Sequence, residues 1–215
     1  MPAVYTVGHL NVSGEIEGLN TDTHDRELAA AAAAGDPDAF AALVDRHQAS
    51  VYRLARLLVH SQADAEDLLQ QTFLSAWRSL ASYRGEASVR TWLLTITRHA
   101  AFARRAREAR LPIDETRVED IEDLGVAAGW GRDPEQLALR AEQHEVLRAA
   151  FGRLSPEERE VLTLRDLEGL SGDDTAALLG VTRAAMKSRL HRARMALAAE
   201  VQRARGAGGS HNATA

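Results

Sequence analysis

An all-α protein, built as two small helical domains joined by a flexible acidic linker, is the architecture predicted by these 215 residues. Three observations carry that reading. Apolar residues recur at spacings of three, four and seven within 25–110 and within 134–205, and neither stretch alternates as a strand would. Between them, 111–133 holds Pro112, an acidic run and Gly125, Gly129 and Gly131, with no sustained periodicity. Charge also falls in blocks of one sign. Arg98 to Arg110 carries five Arg against Glu108, Asp114 to Asp123 six acids against Arg117, and Val181 to Arg205 seven basic residues against Glu200.

Composition excludes several classes. There is no Cys, so disulfide scaffolds, thiolate nucleophiles and Cys-based zinc sites are out, and a reducing, cytoplasmic setting fits. No apolar run reaches the roughly 20 residues that span a bilayer, so no membrane insertion is expected. The net charge of -5 conceals the blocks, whose basic members point to a polyanionic partner.

Residues 1–24 read as a flexible extension, too irregular for a helix. The first domain opens with an Ala-rich helix that breaks at Gly35-Asp36-Pro37. It resumes with Phe40, Leu43, Val44, His47, Val51, Leu54 and Leu58 on one face. The next pattern starts near Asp64, has Asp64 and Asp67 in its first turn, and is expected to bury Ala65, Leu68, Leu69, Thr72, Phe73, Ala76, Trp77 and Leu80. After the break at 82–88, Ser88 is placed to cap a helix packing Val89, Trp92, Leu93 and Ile96.

The acidic linker 111–133 extends by self-repulsion. In the second domain, Ser155-Pro156-Glu157-Glu158 reads as a capping box whose helix carries Val161, Leu162 and Leu167. Ser171 caps a short helix ending at Gly180, and Thr182 caps the last one, giving helix, turn, helix. Residues 206–215 form a Gly-rich, disordered tail.

On the last helix, Met186, Leu190, Ala193, Leu197 and Val201 share one stripe. The opposite side presents Ala184, Ser188, His191 and Met195, with Lys187 and Arg192 on its shoulders. A recognition helix in a major groove needs such a face: small where the backbone approaches, polar for base edges, cationic for phosphates. Arg183, Arg189 and Arg194 lie nearer the buried side and suit phosphate contacts or intramolecular pairs.

Ala65-Glu66-Asp67-Leu68-Leu69-Gln70-Gln71-Thr72-Phe73 with Ala76-Trp77, Tyr83-Arg84-Gly85, Thr91-Trp92-Leu93 with Ile96, and Lys187 to Arg194 stand in an order that resembles one family. It is the extracytoplasmic-function (ECF) group of the sigma-70 family of bacterial RNA polymerase sigma factors. The resemblance covers about Asp25 to Val201. It implies an initiation factor whose first domain, region 2, binds the polymerase clamp and the -10 element of promoter DNA. Its second, region 4, binds the polymerase flap and the -35 element, and an anti-sigma factor controls both.

Carried over by position, polymerase binding falls on Asp64, Asp67, Leu68, Gln70, Gln71 and Leu74. For Leu68, core packing is an equal alternative. Contacts to the -10 element fall on Tyr83, Arg84, Ser88, Arg90, Thr91, Thr95, Arg98 and His99, where family members capture an unstacked base. Contacts to the -35 element fall on Arg183, Lys187, Ser188, His191 and Arg192. The chain departs from the family in His99, where Asn is frequent, and in Asp174-Thr175-Ala176 and Ala184-Ala185-Met186.

No catalytic constellation is legible. The His are scattered, no pair has metal-ligand spacing, and no phosphate loop or nucleophile elbow occurs, so neither metal nor cofactor is expected. His47, on an apolar face, reads as a core residue. The rivals are a stand-alone helix-turn-helix regulator, which binds its operator without polymerase, and a protein-binding helical adaptor.

Overall fold

In the computed structural model, the described backbone comprises residues 12–108 and 144–209, with side chains described for 22–107 and 144–205. The expected linker 111–133, the first residues of the domain expected at 134, and the tail beyond 209 lie outside the described residues. So do residues 1–11 of the N-terminal extension.

The first module has four helices: α1 Val12–Ala33, α2 Pro37–Leu58, α3 Gln62–Ser79 and α4 Val89–Glu108, with a 3-10 turn Leu80–Ser82 after α3. Among the described residues there is no strand. Helix α1 begins at Val12, inside the segment expected to be irregular. Once a helix is nucleated, each added residue costs little, and Glu15, Glu17 and Leu19 are competent helix formers.

Local signals set the other starts. Asp36 caps α2, accepting from the Asp38 and Ala39 amides at 2.9 and 3.2 Å, with Pro37 as first helical residue. Ser61 caps α3, and Ser88 Oγ accepts from the Thr91 amide at 3.1 Å to start α4. The helices close around Leu43, Val51, Phe73, Ala76, Leu80, Val89 and Leu93. His47 is a core residue, as expected. It is 2% exposed, and its Nε2 lies 2.9 Å from a carboxylate oxygen of Asp25 on α1. Burial pushes the imidazole below its ordinary 6.5, against the pull of Asp25.

The second module comprises α5 (144–152), α6 Pro156–Leu162, a π turn Thr163–Leu167, α7 Gly172–Leu179 and α8 Arg183–Gly209. Both halves of the capping box form: Ser155 Oγ accepts from the Glu158 amide, and Glu158 accepts from the Ser155 amide at 2.9 Å. Gly180 ends α7 at φ 68° and ψ 32°, the left-handed cap that a residue with a Cβ enters at a cost. Leu167, expected on the apolar face of its helix, is instead exposed. The wider π turn rotates it off that face.

The two modules share a core. One continuous apolar cluster runs from Leu54, Ala55, Leu58, Ala65, Leu68, Leu94 and Ala101 into Phe151, Leu154, Val161, Leu164, Leu170 and Leu178. Polar ties cross the same boundary. Arg53 Nε donates to Glu168 at 2.7 Å, and Arg98 Nε donates to Glu160 at 2.9 Å.

Candidate nucleic-acid interface

Helix α8 is held by its apolar stripe. Met186, Leu190 and Ala193 are buried, and Leu197 and Val201 partly so. Thr182 caps it by accepting from the Ala185 amide at 3.2 Å. The opposite side is open: Ala184, Lys187, Ser188, His191, Arg192 and Met195 are all exposed. Neither Lys187 nor Arg192 is held in an ion pair among the described residues. The arginines nearer the core are held. Arg194 grips Asp166 with two bonds at 2.6 and 3.0 Å, which raises its already high pKa; Arg183 reaches Asp173 at 3.1 Å, and Arg189 reaches Glu157 at 3.4 Å. Division of labour on this helix is thus by availability: Lys187 and Arg192 offer free charge, whereas Arg183 is exposed but already paired.

In the first module, the turn between the 3-10 segment and α4 is closed by its own hydrogen bond. Tyr83 Oη donates to the Ala87 carbonyl at 2.7 Å, and Gly85 takes φ 72° at the bend. The Tyr83 ring lies on Trp92, with centroids 5.0 Å apart and planes tilted by 37°. Burial raises the phenol pKa, so the hydroxyl stays protonated and the bond that closes the loop persists. Beside it opens a cavity of about 340 Å³ lined by Ser82, Tyr83, Arg84, Glu86, Ala87, Trp92 and Thr95. Half-buried aromatic rings with an exposed guanidinium suit an unstacked base and its phosphate.

The residues expected to contact the -10 element are not equally available. Arg84 and His99 are exposed, and Tyr83, Ser88, Arg90, Thr95 and Arg98 half-buried. Thr91 is buried at 7% exposure, its hydroxyl engaged with Ser88 at 3.0 Å, so it shapes the start of α4 rather than meeting a ligand. Arg98 lies over the exposed Phe102 ring, 4.4 Å from its centroid, as well as pairing with Glu160.

Helix α3 carries the third surface. Asp67, Gln70, Gln71 and Leu74 are exposed, Leu74 to 57%. Leu68 is 1% exposed within the shared core, so of its two alternatives, core packing and surface contact, the structure takes the first. Asp64 is half-buried and tied to Ser61 and to Arg104 on α4. Burial pushes its carboxyl up, but the Ser61 hydrogen bonds and the Arg104 charge together outweigh it and hold it below the ordinary carboxylate value. Asp64 therefore fastens α3 to α4.

Trp77 corrects the sequence reading in the other direction. Expected in the core, it is 42% exposed and packs edge-on against Phe40 at 4.8 Å. Phe40, Val44, Leu69, Phe73, Leu74 and Trp77 line an apolar groove of 410 Å³ that Gln48 and Gln70 border. Periodicity alone cannot separate a core residue from one at the rim of such a groove, because both lie within one apolar arc.

Comparison with known proteins identifies both modules. Residues 43–111 match Sigma-70 region 2, and residues 144–197 match Sigma-70 region 4. The chain is 34% identical over 189 residues to RNA polymerase sigma factor CnrH of Cupriavidus metallidurans, covering 84% of this chain and 96% of that protein. It is 37% identical over 181 residues to ECF RNA polymerase sigma factor SigM of Mycobacterium tuberculosis, covering 84% and 86%. Among solved structures, CnrH in complex with the cytosolic domain of CnrY superposes with a TM-score of 0.56 at 28% identity, covering 83% of this chain and 97% of that one. Two helical modules that match regions 2 and 4 in order, with relatives aligned across both, place the chain in the ECF group of the sigma-70 family of bacterial RNA polymerase sigma factors.

Proposed function

We propose that this sigma factor divides promoter recognition among the three surfaces. The outer edge of α3, with Asp67, Gln70, Gln71 and Leu74, docks on the clamp of core RNA polymerase. The exposed face of α8 reads the -35 element, Lys187 and Arg192 anchoring phosphates while Ser188 and His191 reach base edges. The loop from Tyr83 to Ser88 takes an unstacked base of the -10 element, so that binding energy rather than ATP opens the strands. Region 4 also meets the polymerase flap.

One observation carries this reading: Lys187 and Arg192 flank a small, polar, exposed face, whereas the neighbouring Arg183, Arg189 and Arg194 are held by acids. The factor supplies the address, and the polymerase supplies the chemistry; the chain is no enzyme. It works in the cytoplasm, and no helix among the described residues is long and apolar enough to cross a membrane. Control by an anti-sigma factor follows from the family and from the relative CnrH, solved with the cytosolic domain of CnrY.

Run-off transcription with core polymerase on genomic fragments tests the reading. Transcripts starting at defined sites are expected only when factor and polymerase are both present. A protein that footprints DNA alone and leaves polymerase unaffected would instead be a stand-alone regulator.

A further inference from the structure

We propose that α1 belongs to the promoter-reading surface, with Arg26 as a positioning residue that braces Tyr83 and so fixes the shape of the pocket for the -10 base. The inference rests on the proposed capture of that base beside the loop from Tyr83 to Ser88.

Helix α1 lies ahead of the residues that match Sigma-70 region 2, which begin at 43, and none of the contacts implied by the resemblance falls on it. Yet it packs against both elements that carry the pocket: the 3-10 turn Leu80–Ser82, which leads into Tyr83, and α4, which bears Trp92 and Thr95. Ala29 and Ala32 are buried in the same apolar cluster as Leu80, Val89 and Leu93, and Tyr83 and Trp92 lean on that cluster.

Buried polar contacts fix the register of α1. Asp25 is 3% exposed, and its two carboxylate oxygens lie 2.6 Å from Arg46 Nε and 2.9 Å from His47 Nε2. The next residue, Arg26, emerges beside the loop with about half of its side chain exposed, and Asp22, one turn earlier, holds the guanidinium at 3.1 Å. That guanidinium is within hydrogen-bonding reach of the Tyr83 hydroxyl and pulls the phenol pKa down, against the burial that raises it. A hydroxyl has one proton and two lone pairs. Tyr83 gives its proton to the Ala87 carbonyl at 2.7 Å, which leaves the lone pairs for Arg26.

The phenol is thus tied on one side to the loop that it closes and on the other to α1. Its ring, 5.0 Å from that of Trp92, is a wall of the 340 Å³ cavity. Without Arg26 that wall is free to swing. An incoming base must then order the ring on which it stacks, and the cost of ordering is subtracted from binding.

The test uses the full-length chain assembled with core polymerase. The probe is a fluorescein-labelled single strand of non-template sequence spanning the -10 element of a promoter mapped by run-off transcription, either intact or with one base removed at each position in turn. Fluorescence anisotropy reads affinity. Wild type is expected to bind the intact strand roughly tenfold tighter than the strand abasic at the captured position, as befits one stacked base. With Arg26→Met, which keeps the stem and removes the donors, that advantage is expected to fall to roughly threefold. In a Tyr83→Phe background no hydroxyl remains to be braced, so Arg26→Met should change the ratio no further.

An advantage that Arg26→Met leaves at its wild-type size overturns the proposal. So does a loss shared equally by intact and abasic strands, which would make Arg26 a phosphate contact. A further fall in the Tyr83→Phe background overturns it as well, because Arg26 would then meet the base itself. Should circular dichroism show Arg26→Met unfolded, Arg26→Gln decides by the same criteria. If no abasic position weakens wild-type binding, base capture at the loop fails and the brace with it; if one does and Arg26→Met behaves as wild type, only the role of α1 falls.

Discussion

Lys187 and Arg192 show how a single helix sorts its charges. Their arginine neighbours have acid partners, so the free cations are the ones that a phosphate can capture without first breaking a bond. Lys187→Ala or Arg192→Ala should weaken use of a native promoter through its -35 element. Each should also lower the slope of log affinity against log salt by about 0.9, the contribution of one phosphate contact; filter binding of holoenzyme across a salt series checks this. His47 makes a different point. Its pKa is pushed below 6.5 in the fold by burial and by the charges of Arg90 and Arg46, against the opposing pull of Asp25. As pH falls through the unfolded value, the unfolded chain takes up a proton that the folded chain refuses, so stability drops with acid. The slope cannot exceed about 1.4 kcal/mol per pH unit, the ceiling for one proton, and the loss ends once the folded value is passed. Urea unfolding at pH 7.5 and 5.5 measures it, and His47→Gln should flatten the difference. The position of His47 was legible in the sequence because it falls on the helical arc of Leu43, Val51 and Leu54. For Leu68 the sequence offered core and surface as equal alternatives, and the structure takes the first; the burial of Thr91 was not legible, since spacing identifies a face and not the depth of a side chain within it.

At the scale of the element, the boundaries that follow capping rules agree with the structure. Ser88, Ser155, Ser171 and Thr182 each accept from the backbone amide three residues on, and the signal for each is a short polar side chain before an apolar arc. Ser155→Ala should cost about 1 kcal/mol by removing the capping-box acceptor. Gly180→Ala should cost roughly 1–2 kcal/mol by forcing a Cβ into φ 68°, although open space surrounds the position. Thermal denaturation ranks the two, and Gly180→Ala should be no less damaging than Ser155→Ala. The extent of α1 and the π turn were hidden. Propagation of a helix beyond its strong signals leaves no mark in composition, and a π turn differs from an α turn by one residue of register. That single residue carries Leu167 to the surface and brings Glu168 inward, to 2% exposure.

For the whole molecule, two helical modules were readable, but their shared core was not. Each module's apolar arc satisfies the sequence pattern whether it faces its own helices or a neighbour's. Leu94 on α4 and Leu164 in the π turn lie in one cluster, and both are fully buried. Leu94→Ala should therefore cost about 2–5 kcal/mol, the range for deleting a buried leucine. Hydrogen exchange should quicken in α4 and also in α7, which packs against it; protection of α7 left intact would mean that the modules stand apart. The pairing of Arg98 with Glu160 has a wider consequence. Under the proposed function one guanidinium answers to two clients, an internal carboxylate and a nucleic-acid strand, so a replacement that suits one better disappoints the other. Exchanging the two charges between positions 98 and 160 should therefore leave the modules joined and yet cost the chain its grip on the strand.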